Sequence, residues 1–164
     1  MIVGSIKEDT TLEKRVSLTP ESAKNIIGLG LKVCVEQDYA LHLGIKDSDY
    51  RDIGVDIKSS SKEVLNTSNL IIKVNCPSEV EIEKLKDDTI LIGMLNPSTN
   101  KKIIDKIIDK NVKPFSLELL PRITRAQSMD VLSSQSNLAG YRAVVDCVAE
   151  FEKAVPMMMT AAGT

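Results

Sequence analysis

The stretch LIIKVNCPSEVEIEKLKDDTILIGMLNPSTNKKIIDKIIDKNVKPFSLEL, residues 70–119, decides the fold class of this chain. Three short apolar runs alternate in it with two segments whose apolar residues recur at helical spacing. Runs that are apolar at nearly every position are typical of parallel strands, which are buried on both faces. The stretch therefore predicts an α/β fold in which helices cover both faces of a mostly parallel sheet.

The same alternation of strand and helix extends towards the amino end. We expect strands at residues 2–6, 31–36, 55–57, 70–74, 89–95 and 112–119. Thr19 as N-cap and Pro20 at the first helical position predict a helix that ends at a glycine near residue 28 or 30. Ser78 followed by Glu81 is a capping-box signature for another. Further helices are expected at residues 46–52, 61–66, 99–110 and 137–153.

The composition excludes several classes of protein. The 164 residues carry 21 Lys and Arg against 23 Asp and Glu, a net charge of −2, so we expect no nucleic-acid partner, because such proteins need a basic face. No apolar run reaches about 18 residues, so we expect no insertion into a membrane. Three widely spaced cysteines without metal-ligand spacing indicate reduced thiols in a cytoplasmic protein, and we expect no metal site.

Polar residues near strand ends are the first candidates for a site. Lys73 interrupts an apolar strand, so either a buried partner neutralises it or its ammonium reaches water past the strand end. Arg15 lies in the charged connection after the first strand, where open α/β sheets place ligands. Asn96 directly follows the strand at 89–95, where capping of the next helix is a sufficient explanation. His42 is expected on the surface.

The polar segment PRITRAQSMDVLSSQS, residues 121–136, is expected to be a long functional loop. Its guanidinium, amide, carboxylate and hydroxyl groups suit binding of an amide, a ribose or a phosphate. These groups belong to Arg122, Arg125, Gln127, Asp130 and Ser133. Alternatively, Ser133 or Ser134 only caps the following helix. That helix is apolar almost all round, so we expect another subunit or domain to cover it.

The motif RITRAQSMDVLSSQSNLAGYRA, residues 122–143, resembles the signature loop in the alpha subunit of proton-translocating NAD(P) transhydrogenase. PMMMTAAGT at residues 156–164, Lys7-Glu8, Arg15 and Lys73-Val74 extend the resemblance over the whole chain. It implies that residues 1–136 are a flavodoxin-like first lobe of the NAD(H)-binding component, followed at residues 137–164 by a crossing helix and the start of a Rossmann NAD-binding lobe. That component exchanges hydride with NADP(H) held on a partner component. By this resemblance Arg122, Arg125, Gln127, Asp130 and Ser133 contact the nucleotide, and Asp130 holds Arg122 in place.

The resemblance also implies partners and a location. We expect a homodimer that works with the NADP(H)-binding and membrane components, and that lies peripherally on the cytoplasmic side of the inner membrane. In the family a glycine-rich nucleotide fold follows the Ala-Gly-Thr segment. The 164 residues contain no G-x-G-x-x-G motif, so we expect the chain alone to bind NAD very weakly and to be inactive as an isolated fragment.

Two other functions stay open. Arg15 and Lys73 match the residues that bind the substrate carboxylate in alanine dehydrogenase, although Asn96 stands where that enzyme has a histidine. Arg15 and Lys73 then form either an amino-acid site or a vestigial anion site. The second possibility is a non-catalytic module for oligomerisation or assembly.

Overall fold

The computed structural model of the protein, which describes residues 1–153, contains a six-stranded sheet in which all strands are parallel. The strands are β1 (Ile2–Ser5), β2 (Lys32–Glu36), β3 (Asp56–Lys58), β4 (Leu70–Asn75), β5 (Ile90–Met94) and β6 (Lys113–Ser116). Their order across the sheet is β3-β2-β1-β4-β5-β6. Without the short edge strand β3, this is the flavodoxin-like order, and the expected fold is confirmed.

The described residues form six α-helices. They are α1 (Pro20–Gly28), α2 (Asp47–Arg51), α3 (Ser61–Thr67), α4 (Glu79–Lys84), α5 (Lys101–Asp109) and α6 (Val131–Glu150). The predicted start signals are confirmed, since the Thr19 hydroxyl accepts the Ser22 N–H and Ser78 forms a capping box with Glu81. None of the helices in residues 1–153 is both long and apolar enough to cross a membrane.

The core has two halves, one on each face of the sheet. Ile71, Leu91 and Ile107 belong to the cluster on the face that carries α3, α4 and α5. Val33 and Tyr50 belong to the opposite cluster, beside α1 and α2. Because side chains alternate between the faces of a strand, a continuously apolar strand supplies both halves.

The chain after β5 differs from the sequence prediction in two places. The strand expected at 112–119 ends at Ser116, and Leu117–Leu119 forms a 3-10 turn, because the Glu118 side chain turns back to accept the Ser116 hydroxyl. The prediction of a long loop at residues 121–136 is also wrong. Thr124–Met129 is a 3-10 helix, and α6 begins at Val131 because Asp130 caps it.

The chain forms two compact units that meet in sequence at Leu120 and Pro121. The division at residue 136, which concerns the lobes of a longer protein, stays a prediction. In α6 no residue is buried, and Tyr141 is 71% exposed, so the covering of this helix by another subunit or domain also stays a prediction. The motif at residues 156–164 lies outside the described residues.

Neighbouring isoleucines in α5 test the packing of the core. Ile107 is fully buried, whereas Ile108 is 60% exposed. We expect Ile107→Ala to lower the free energy of unfolding by about 3 kcal/mol, because it removes buried contacts and leaves a cavity. Ile108→Ala, the matched control, should cost under about 0.5 kcal/mol. Urea denaturation of the 164-residue chain measures both, and equal losses would contradict the placement of α5.

Candidate functional site

The candidate site lies where the strand order reverses, at the carboxyl ends of β1 and β4. The connection from β1 to α1 passes this point and is held there by the buried Tyr39. The Tyr39 hydroxyl accepts the N–H groups of Ser17 at 3.0 Å and Leu18 at 3.2 Å, and lies 2.8 Å from the Ser5 hydroxyl. These bonds fix the path of the segment that carries Arg15.

Lys73 is buried between two glutamates. Its ammonium lies 2.9 Å from Glu81 Oε1 in α4 and 3.6 Å from Glu8 Oε2 in the β1–α1 connection, and its side chain is 4% exposed. The sequence left open whether a buried partner neutralises Lys73 or its ammonium reaches water. The structure shows a buried lysine that is paired with carboxylates. Glu8 also accepts the Val74 N–H at 2.8 Å, so this carboxylate binds both the side chain and the backbone of β4.

Gly93 in β5 allows the neighbouring backbone to come close at this point. A Cβ atom on Gly93 would lie 2.8 Å from the Lys73 carbonyl oxygen, closer than real Cβ atoms come. Any other residue would therefore push β4 and β5 apart where Lys73 leaves the sheet. The glycine contributes to the placement of the ammonium by permitting this close pairing.

The pKa values of the two glutamates are shifted in opposite directions. Burial raises the pKa of Glu8, and the Lys73 charge and backbone hydrogen bonds do not offset it. Burial also acts to raise the pKa of Glu81, but Lys73 and the hydrogen bonds from Ser78 outweigh it, so this pKa lies below its ordinary value. Glu81 is thus the principal counterion of Lys73, and Glu8 holds a proton more readily.

Arg15 also has a carboxylate partner. Its guanidinium donates to Glu13 through Nε at 2.8 Å and Nη2 at 2.6 Å, and the hydrogen bond from Arg15 is the main cause that lowers the pKa of Glu13. The charge of Glu8 acts on Arg15 as well as on Lys73, so the structure brings both predicted cations to the same edge of the sheet. An incoming anion would have to compete with the carboxylates that contact them.

A cleft of about 630 Å³ opens beside Lys73. Glu8, Lys73, Asn75, Asn96 and Asn100 are among its lining residues. Cys76 also lines it, and burial raises the pKa of this thiol to about 11, so the thiol is protonated at neutral pH. In residues 1–153 no three His, Cys, Asp or Glu side chains are grouped as a metal ion requires.

Asn96 borders the cleft in an unusual conformation, with φ at +46°. It does not cap α5, as the sequence suggested, because the N-cap of that helix is Asn100. The Asn96 carbonyl accepts the Asn100 N–H at 3.0 Å, and its own N–H donates to Glu118. Asparagine tolerates this left-handed backbone better than most residues. An asparagine directly after a strand was therefore the sequence signal that could have indicated this turn.

Arg122, Arg125 and Gln127 are exposed on the segment that leads to α6. Asp130 accepts the Ser133 N–H at 2.9 Å and the Ser133 hydroxyl at 2.6 Å. These bonds, with a smaller effect of the Arg122 charge, lower the pKa of Asp130. Among the described residues Asp130 forms no ion pair with Arg122, so its main contact is the helix cap and not the expected hold on that arginine. A recess of about 320 Å³ lies beside Gln127 and Asp130.

His42 lies on the surface, as expected, with Nε2 2.8 Å from the Lys14 carbonyl oxygen. Sequence reasoning missed Glu8, Glu13 and Tyr39 as parts of the site, and it noticed Glu81 only as a capping residue. An acidic residue that faces a buried lysine from another element gives no periodic signal, so only the fold reveals these partners.

Comparison with known proteins extends these findings. Residues 4–139 match the family model described as "Alanine dehydrogenase/PNT, N-terminal domain". Two bacterial relatives are each named as the first portion of NAD(P) transhydrogenase subunit alpha. The whole chain is 43% identical to the one from Rickettsia prowazekii and 41% identical to the one from Rhodospirillum rubrum, and it covers 44% of each. A crystal structure of transhydrogenase from Sinorhizobium meliloti superposes with a TM-score of 0.91 at 42% identity, over 99% of this chain and 48% of that one.

Alanine dehydrogenase is a more distant relative. The enzyme of Methanococcus maripaludis is 31% identical over 140 residues, which are 85% of this chain and 37% of that protein. A solved L-alanine dehydrogenase shares the fold over 72% of the chain with a TM-score of 0.68. The chain spans less than half the length of each of these relatives.

The opposite pKa directions of Glu8 and Glu13 give a test of the site. In the folded chain the pKa of Glu8 lies above its ordinary value of 4.5, so folding favours the protonated carboxyl. The contribution of Glu8 to stability is therefore lost as pH rises from 4.5 through the folded pKa. We expect the free energy of unfolding of Glu8→Gln, measured relative to that of the parent, to increase between pH 4.5 and pH 7. Urea titrations at a series of pH values measure this difference.

Glu13→Gln is the matched control, because the pKa of Glu13 is lowered and its ionised form stabilises the fold. That contribution is present above pH 4.5 and is lost as pH falls through the lower folded pKa. We therefore expect Glu13→Gln to be less stable than the parent at pH 7 and to approach it in acid. The same pH trend in both variants would contradict the geometry described for Lys73 and Arg15.

The cap on α6 is tested by Asp130→Ala and Asp130→Asn. The alanine removes the acceptor for the Ser133 N–H, whereas asparagine keeps an oxygen there. We expect faster amide exchange at Ser133 and a smaller helical signal in far-ultraviolet circular dichroism for the alanine variant only. Unchanged exchange in Asp130→Ala would show that α6 does not depend on this cap.

Proposed function

We propose, from the premise that this chain belongs to the alanine dehydrogenase/PNT N-terminal domain family, that it is the first lobe of the NAD(H)-binding component of a proton-translocating NAD(P) transhydrogenase. The supporting observation is the extent and degree of the likeness. Relatives named as part of NAD(P) transhydrogenase are 43% and 41% identical over the whole chain, whereas the alanine dehydrogenase of Methanococcus maripaludis is 31% identical over 85% of it.

In this proposal the segment with Arg122, Arg125 and Gln127 binds the nicotinamide end of NAD(H). Its exposed guanidinium and carboxamide groups suit the ribose oxygens and the carboxamide of that nucleotide. Asp130 and Ser133, which bond to each other at the start of α6, fix the end of the segment. Direct hydride transfer requires the two nicotinamide rings to lie close together in the right orientation. The nucleotides carry the hydride, so the contribution of such a segment is to position the ring.

Oxidation of an amino acid has less support in this chain. Lys73 and Arg15, which would bind a substrate carboxylate, each contact a carboxylate of the protein already. Asn96 stands where that enzyme has its acid–base histidine, and a side-chain amide has no group that titrates near neutral pH and so cannot serve as a general acid or base. Arg15 and Lys73 then form a vestigial anion site.

The proposed partners are the NADP(H)-binding and membrane components and a second copy of the chain, with the lobe peripheral on the cytoplasmic side of the inner membrane. The apolar face of α6 supports association with other protein surface. Leu138, Tyr141, Val144, Val145, Val148 and Phe151 are exposed along it. A stripe of this size is typical of a surface that another protein or domain covers. A non-catalytic assembly module would share this face but would not need Arg122 and Gln127.

A chimera tests the function directly. In it this chain replaces the matching 44% of the Rhodospirillum rubrum subunit, and the product is combined with an NADP(H)-binding component. We expect hydride transfer from NADH to an NADP analogue and no oxidation of alanine. Arg122→Ala should lower the rate about 10- to 100-fold through misplacement of the nicotinamide. Arg51→Ala, which changes an exposed arginine in α2, is the matched control and should stay within about twofold.

Alanine oxidation by the chimera, or equal rates for the two arginine variants, would contradict the proposal. The 164-residue chain alone should bind NADH no more tightly than about 1 mM in calorimetry, because its sequence has no glycine-rich phosphate loop. Submillimolar binding by this chain would overturn that expectation.

A further inference from the structure

We propose that Glu118 is a positioning residue, which ties the Asn96 turn at the cleft to the backbone that leads into the nucleotide-binding segment. The inference rests on the proposed function for the role of that segment. Glu118 lies in the 3-10 turn after β6, and its Oε1 accepts both the Asn96 N–H and the Ser116 hydroxyl, the latter at 2.7 Å. One carboxylate oxygen thus joins two strand ends, β5 through Asn96 and β6 through Ser116.

The Asn96 end of this connection determines the wall of the cleft. With φ at +46°, Asn96 has a left-handed backbone that few residues besides glycine, asparagine and aspartate adopt. Its N–H goes to Glu118, and its carbonyl accepts the Thr99 and Asn100 N–H groups at 3.1 and 3.0 Å. The Asn100 side chain in turn donates to the Leu95 carbonyl at 2.9 Å. Asn96 and Asn100 both line the cleft, so loss of the Glu118 contact would displace both side chains.

The chemistry of Glu118 fits a directed contact better than filling of space. Burial acts to raise its pKa, but the Ser116 hydroxyl and three backbone N–H groups outweigh it, so the carboxyl is ionised at neutral pH. Hydrogen bonds to an ionised acceptor are the stronger kind. Among the described residues its Oε2 is buried and has no partner. A half-buried carboxylate with one oxygen that has no partner is costly, and it is not needed to close a turn.

The other end of the connection is covalent. Only Leu119, Leu120 and Pro121 separate Glu118 from Arg122, and a residue spans at most about 3.6 Å of chain. Glu118 therefore holds the last turn of backbone before the start of the nucleotide-binding segment. Glu118 also affects the cleft electrostatically, since its charge contributes to the raised pKa of Cys76.

Three variants in the chimera test this role. Glu118→Ala removes the acceptor, and we expect kcat for hydride transfer to fall about 10-fold or more while KM for NADH changes less than about threefold. Glu118→Gln keeps an oxygen for the Asn96 N–H and should retain most of kcat. Glu79→Ala is the matched control, because it removes a surface glutamate paired with Lys106, and it should leave kcat unchanged. A residue with a merely structural role would lower the melting temperature but not kcat per folded subunit, and that outcome would overturn the inference.

Hydrogen exchange on the 164-residue chain is independent of the proposed function. Glu118→Ala should speed amide exchange at Asn96 and Asn100 and also at residues 122–125, and Glu118→Gln should do so much less. Faster exchange at only one of the two places, or at neither, would overturn the connection. If the parent chimera transfers no hydride, the proposed function fails. If it transfers hydride and Glu118→Ala does so equally well, only the role of Glu118 fails.

Discussion

The ion pairs of Lys73 are the interaction on which the site depends. An ammonium in the middle of an apolar sheet is tolerated only if opposite charge accompanies it, and here the two carboxylates come from different elements. Glu8 belongs to the connection after β1 and Glu81 to the first turn of α4. The ion pairs of Lys73 therefore hold β4, the β1–α1 connection and α4 together at the carboxyl edge of the sheet. Without Lys73, the carboxylates of Glu8 and Glu81 would lie close together with no positive charge between them, and their repulsion would destabilise the fold.

A second carboxylate organises the other half of this edge. Glu118 joins the ends of β5 and β6, as Glu8 joins the connection after β1 to β4. In both cases a glutamate side chain accepts a backbone N–H group at a strand end, so these two contacts help to fix the shape of the cleft. Lys73 and Arg15, the two cations at this edge, are each paired with a carboxylate of the protein itself.

Much of the sheet could be predicted from sequence, because its determinants are local. The apolar runs at β4 and β5 and the Thr19 cap each act within a few residues, and the structure confirms them. The start of α6 was missed since Ser133 and Ser134 look like caps, although Asp130 performs that role. The partners of Lys73 could not be predicted, because Glu8 is 65 residues away in sequence and only the parallel pairing of β1 with β4 brings them together.

Nuclear magnetic resonance of the arginine and glutamine side chains in the chimera, during addition of NADH, tests most directly where the nucleotide binds. We expect saturable shifts for Arg122 and Gln127, with Arg15 unchanged because Glu13 holds it. Shifts of Arg15 without any change at Arg122 or Gln127 would contradict the central claim, since the ligand would then occupy the cleft beside Lys73 and not the segment before α6.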